Sequence, residues 1–103
     1  MPTMVQAGVY SAVLHYLNAI KAAGSDEAPA VVEQMKATPV NDFFAKNGRI
    51  RADGRHVHDF YLLQVKKPRE SKSPWDYYHV RQVIPANEAA MPLAQSECAL
   101  LKK

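Results

Sequence analysis

Residues 3–23, TMVQAGVYSAVLHYLNAIKAA, decide how the rest of the chain is read. Val9, Val13, Leu17 and Ile20 recur at three- and four-residue intervals, which predicts a helix from Thr3 to Ala23 with those residues on its inward face. Ser11, His15, Asn18 and Lys21 form a narrow polar stripe that this pattern turns to solvent. Most of the helix therefore needs burial. A chain of 103 residues, 48% hydrophobic and 22% charged, has room for one small folded domain with a modest core. So apolar a helix outruns the partners that such a chain can offer it, and self-association into a homodimer is the expected remedy.

Outward from this helix the reading is largely local. Gly24 suits the left-handed position after the last turn, Ser25 or Asp26 can cap a second helix, and Glu27 is favourable near its positive end. That helix runs from about Glu27 to Lys36, with Pro29 in its first turn, Val31, Val32 and Met35 facing inward, and Thr38-Pro39 closing it. Residues 40–46 show no period and read as an ordered loop whose Phe43 and Phe44 plug against the helices. After Gly48 the period changes to two. Arg49-Ile50-Arg51, a turn at Asp53-Gly54, and the run VHDFYLLQVKK from Val57 predict antiparallel strands. Residues 67–74 read as a polar loop. Trp75 to Ile84 is a further strand, in which Tyr78, Val80, Gln82 and Ile84 alternate with Tyr77, His79, Arg81 and Val83, and Pro85 ends it. Residues 86–103 read as a surface tail, extended or partly helical. The expected class is α+β: a helical pair over 1–39, two or three antiparallel strands over 40–85, and the tail, all in a single incomplete domain spanning 1–103.

Charge excludes little but does narrow the partners. The formal net charge is +3, with ten Lys/Arg against six Asp/Glu in residues 49–103. These charges are scattered among apolar residues instead of lining a groove with stacking aromatics, so no nucleic-acid footprint is read. The opening MPTMVQAGVYSAV lacks the basic region, apolar run and small-residue cleavage site of a secretory signal. No apolar run approaches the roughly 20 residues needed to cross a bilayer. Cys98 is the single cysteine, so any disulfide partner must lie on another chain.

The candidate chemistry is sparse. His56 and His58 lie two apart on an expected strand, and with Asp59 or His79 they suggest a zinc pair. A site needs three or four convergent ligands, and solvated strand-edge histidines are the preferred reading. Ser11 and His15 sit one helical turn apart, yet a mid-helix serine lacks the strained turn and oxyanion donors that nucleophilic catalysis requires. Cys98 has Glu97 beside it, which disfavours the thiolate. Glycines 8, 24, 48 and 54 form no phosphate loop, so no cofactor is implied. Trp75, Tyr77 and Tyr78 could stack on a ligand, although packing is the commoner use of such residues on strands. No constellation supports an enzyme.

Taken together, PTMVQAGVYSAVLHYLNAIKAAGSDEAPAVVEQMKATPVNDFF resembles the late region of the substrate-binding proteins that serve branched-chain amino acid ABC transporters. FAKNGRIRADGRHVHDFYLLQVKKP resembles that family's loop feeding a strand, and PWDYYHVRQVIP with PLAQSECALLKK its final strand and terminus. The resemblance implies an α+β fragment of a bilobed α/β periplasmic-binding-protein fold, the extracellular ligand-binding receptor type. It implies a periplasmic parent that closes on a small amino acid or carboxylate between its lobes and docks on an ABC permease, without chemistry. Met1 ahead of Pro2-Thr3 would then open a shortened chain or an internal reading frame, with most of the ligand grip elsewhere. Gln6 and Tyr10, at the entry of the first helix, are the residues that would border a ligand; helix entry and packing are their other reading. The alternative for the whole chain is an independent small dimeric interaction domain of no catalytic function.

Overall fold

The computed structural model describes residues 2–101. A twenty-residue helix α1 (Met4–Ala23) is followed by α2 (Ala28–Ala37), short strands β1 (Arg49–Ile50) and β2 (His56–Val57), a longer ribbon of β3 (Phe60–Val65) and β4 (Tyr78–Ile84), and a single helical turn α3 (Ala86–Ala89). Turns of 3-10 helix lie at Pro68–Glu70, Leu93–Gln95 and Ala99–Leu101. The fold is α+β, with two separate two-stranded antiparallel sheets, β1-β2 and β3-β4.

Local chemistry sets most of the boundaries. Thr3 stands in extended backbone before α1, and its N–H donates to Gln6 Oε1 at 2.7 Å, satisfying a backbone donor at the helix start. Gly24 (φ 64°) ends α1 in the left-handed conformation, its N–H donating to the Ile20 carbonyl at 2.9 Å. Glu27, one residue beyond the expected caps, is the residue at the head of α2, and its N–H donates to Ser25 Oγ at 3.1 Å. The β1–β2 hairpin turns at Asp53-Gly54, where Gly54 takes φ 80° and donates to the Arg51 carbonyl at 2.8 Å.

Three expectations are overturned by packing. The face that α1 buries is Ser11, His15 and Ala19, whereas Val9, Val13 and Leu17 are 58%, 50% and 55% exposed. Small and polar side chains line the contact because α2 crosses there, and His15 Nε2 donates to the Met35 carbonyl of α2 at 3.0 Å. On α2 only Val31 is buried, while Val32 is exposed. In the loop, Phe44 is half-buried but Phe43 points out at 95% exposure. The core is correspondingly small: Ala19, Val31, Val40, Ala45 and Val57, around Ser11 and His15. Burial of one such valine contributes on the order of 1.5–3 kcal/mol.

The run from Val57 is not one strand. Val57 pairs with Arg49, and the chain crosses at His58-Asp59 into the second ladder, where Phe60 pairs with Ile84. Asp59 Oδ1 accepts the Ala86 N–H at 2.9 Å and so ties the crossing point to α3. The other strand starts later than expected, at Tyr78, because Trp75 takes φ 75° in the preceding turn. The pairing passes from Leu62↔Gln82 to Leu63↔Val80, leaving Arg81 as a bulge. One extra residue reverses the facing of everything before it. Val80 and Tyr78 therefore share a face with Val83, not with Gln82 and Ile84 as strict alternation implies. The tail lies on the β1–β2 hairpin: Arg51 Nη1 donates to the Met91 carbonyl at 2.7 Å, and Asp53 clamps the same guanidinium.

Candidate functional site

Where α1 begins, the loop after α2 folds back beneath it. Asp42 organises that loop: its Oδ1 accepts the N–H groups of Phe44 and Ala45, each at 2.7 Å, and its own N–H donates to the Ala45 carbonyl at 2.9 Å. This holds the half-buried Phe44 beside the first turns of α1 and leaves the exposed Phe43 at the open edge. The result is an open hollow of about 470 Å3 lined by Pro2, Gln6, Ala7, Tyr10, Phe43 and Phe44. Gln6 and Tyr10 stand together on its wall. No lining residue carries a charge, so the hollow itself can receive an apolar or aromatic group.

Under the hollow lies a polar cluster. Ser11 Oγ and His56 Nε2 are both buried without a hydrogen-bond partner. Gly48 leaves the space that the His56 ring fills, since a Cβ there would stand 2.7 Å from Nε2. Burial is the main influence holding the His56 pKa below its usual value, aided by the like charges of His58 and His15 and opposed by Asp42. For Asp42, burial is the largest single influence and disfavours the charge. The nearby Ser11 hydroxyl, although not in good hydrogen-bonding geometry, joins the Ala45 and Phe44 N–H groups and His56 in outweighing it, and the carboxylate sits below its ordinary pKa. The rings continue as a stack: Phe44 meets His58 edge-on at 4.8 Å, His56 meets His58 at 5.0 Å, and His58 lies flat on Phe60 at 4.9 Å.

These histidines are therefore packed, not solvated at a strand edge. His58 Nδ1 donates to the Asp59 carbonyl at 2.8 Å, and His79 stands instead beside Glu70 on the ribbon at 3.5 Å. Among the described residues no group of three or more His, Cys, Asp or Glu side chains is arranged to hold a metal ion. Ser11 and His15, read from sequence as a solvated face, are 0% and 7% exposed and make no pair, His15 being spent on Met35. Cys98 is half-buried, with Sγ 4.0 Å from the Asp53 carbonyl. Trp75, Tyr77 and Tyr78 meet edge to face at 6.2 and 6.4 Å, but at 59%, 46% and 42% exposure they line the surface instead of a core. Asp42 escaped the sequence reading; its signal was an Asx turn, an Asp two residues before a backbone N–H that needs an acceptor.

The helical hollow and the small hairpin can be set against known proteins. A family profile described as periplasmic binding protein matches residues 1–72. The chain belongs to the periplasmic binding protein family. A crystal structure of a periplasmic binding protein from Burkholderia mallei is 49% identical, with a TM-score of 0.89 over 97% of this chain and 26% of that one. A branched-chain amino acid ABC transporter periplasmic ligand-binding protein from Burkholderia xenovorans is 43% identical, with a TM-score of 0.90 over 97% of this chain and 27% of that one. No significant match was found among curated proteins. The 103 residues thus span about a quarter of the length of the family structures they match.

Proposed function

We propose that this chain forms part of a solute-binding protein that captures a small amino acid or carboxylate in the periplasm for an ABC importer, its ligand site being incomplete within these 103 residues. The observation that carries the reading is the 43% identity, over 97% of the chain, to a protein named as a branched-chain amino acid transporter's ligand-binding protein. The uncharged hollow supports it: Tyr10, Phe43 and Phe44 suit a ligand's side chain, while the charged groups that would hold its carboxylate and ammonium must come from outside. Gln6 and Tyr10 border the ligand in this reading. The role is capture and delivery to a permease, without catalysis.

Two melts test it. The chain alone should unfold at the same temperature with every member of a panel of aliphatic and aromatic amino acids and carboxylic acids, because half a site binds too weakly to shift the equilibrium. The Burkholderia xenovorans protein, with its matched quarter replaced by this sequence, should be stabilised by one compound class, by about 2.7 kcal/mol at a hundredfold excess over Kd. Tyr10→Ala in that chimera should weaken binding. A folded chimera that no solute stabilises overturns the proposal. The second reading, a small dimeric interaction domain, draws on the exposed Val9, Val13 and Leu17 of α1, and would show as a stable dimer of the isolated chain in sedimentation.

A further inference from the structure

His56 occupies a pocket that suits only an uncharged ring. Its Nε2 is buried without a hydrogen-bond partner, and it lies so close to Gly48 that neither an acceptor nor a water fits between them. Val40 and Ala45, 2% and 1% exposed, flank Gly48 on the same side. The titratable and charged groups that face the ring are His58 on its own segment, His15 on α1 and Asp42 in the loop after α2. A second proton on His56 would put a cation against aliphatic carbon and beside two histidines, with Asp42 as the opposite charge.

The contacts that such a proton would disturb are those that close the hollow. Residues 41–47 form a loop whose ends meet in one antiparallel bridge, the Val40 N–H donating to the Gly48 carbonyl at 2.7 Å and the Gly48 N–H to the Val40 carbonyl at 2.9 Å. His56 Nε2 backs directly on that bridge through Gly48. Inside the loop the Phe44 and Ala45 N–H groups both end on Asp42 Oδ1, so a cation at His56 competes for the carboxylate that folds it. The rings give a second route, since His56 meets His58 at 5.0 Å and His58 meets Phe44, in the wall of the hollow, at 4.8 Å. The other side of His56 is firmer. There β2 is paired with β1 through Ile50↔His56 and Arg49↔Val57, and Arg51 ties the hairpin to Asp53 and to the Met91 carbonyl. Of the two sides, the loop gives way first.

We infer that His56 is an acid-operated latch on the hollow: while neutral it backs the Val40–Gly48 bridge and keeps Phe44 in the wall, and on protonation it releases residues 41–47 and with them an apolar group held there. This rests on the proposed function for what occupies the hollow, but the movement of the loop is a separate claim. Burial first, then His58 and His15, hold the ring's pKa below 6.5 against the pull of Asp42, so the latch works on the acid side of neutrality. The test is hydrogen exchange, read by mass spectrometry, on the chimera described above at pH 7.5 and 5.0, with rates corrected for the intrinsic effect of pH. Beside it stand His56→Gln, which keeps a polar end in the pocket, and His56→Phe, which keeps a ring without nitrogen. Protection of residues 41–47 should fall by roughly five- to thirtyfold on acidification, since one proton is worth at most about tenfold per unit below about 6.5. Protection of α1 should not change, and neither should that of the loop in either variant. Calorimetry with L-leucine and L-phenylalanine follows the hollow itself: whichever binds at pH 7.5 should bind more weakly at pH 5.0 by the same factor, and only where His56 is present. An unchanged loop, an equal loss in a folded variant, a bound probe indifferent to pH, or failure of the chimera or of both variants to fold would each overturn the inference. A loop that opens with acid in a chimera that no solute stabilises would leave the latch standing and remove the proposed function.

Discussion

Gly48→Ala tests whether the cluster beneath α1 is packed as tightly as its geometry implies. Gly48 is buried, and a Cβ added to it would lie 2.7 Å from His56 Nε2 and 3.3 Å from the Cβ atoms of both Ala45 and Val40. The two longer approaches can be relieved by shifts of a few tenths of an ångström. The shortest cannot be relieved so cheaply, because the His56 ring is backed by His58, which is itself held by Phe44 and Phe60. Overpacking of this kind costs about 1–3 kcal/mol. Loss of glycine's freedom in the unfolded chain offsets some 0.4–1 kcal/mol of that. The expected net loss is about 1–2 kcal/mol, or a fall in Tm of roughly 5–15 °C. The diagnostic step is the same substitution in a His56→Ala background, where the obstructing ring is gone and Gly48→Ala should be neutral to within about 0.5 kcal/mol. Thermal and urea melts of the four proteins close the cycle. An equal loss in both backgrounds would refute the argument and would mean that His56 does not occupy the space that Gly48 leaves.

Two pH effects follow from the same structure. His56 binds its proton less readily folded than unfolded, so its contribution is intact above the unfolded pKa of about 6.5 and stability falls as pH drops from there toward the lowered folded value. His58 beside it and His15 on α1 reinforce this and Asp42 opposes it. The Tm difference between the chain and its His56→Asn variant, followed from pH 7.5 to 5, should shift against the histidine as pH falls, and a constant difference would contradict the assignment. Asp53 titrates the other way: the Arg51 guanidinium, first of all through its hydrogen bonds, lowers its pKa to about 2. Its stabilising effect is present above about 3.8 and is lost only as pH falls toward 2. Carbon NMR of the Asp53 carboxyl should show that midpoint, and Arg51→Ala should return it to near 3.8.

What was legible in the sequence is what short-range chemistry decides. Gly24 ends α1 because a left-handed residue is needed there, and Asp53-Gly54 turns the hairpin for the same reason; both positions are readable from two or three neighbouring residues. The resemblance to transporter binding proteins was readable too, since it lies in the order of side chains along the whole chain. The candidate site was half legible: Gln6 and Tyr10 sit on one turn of α1, but their neighbours Phe43 and Phe44 reach them only through the Asp42 turn. Which face of α1 is buried could not be read, because periodicity says that a helix has two kinds of side and not which neighbour arrives first. Here α2 takes the Ser11, His15 and Ala19 side, and the more apolar stripe stays open. Nor could alternation reveal the apolar ribbon face, since one unpaired residue at Arg81 re-sorts the strand. The sequence by itself determined the helix and strand periods, the turns and the family. Only the tertiary structure decided which apolar residues are buried and which await cover, because burial belongs to pairs of elements and depends on how much of the fold is there to meet them.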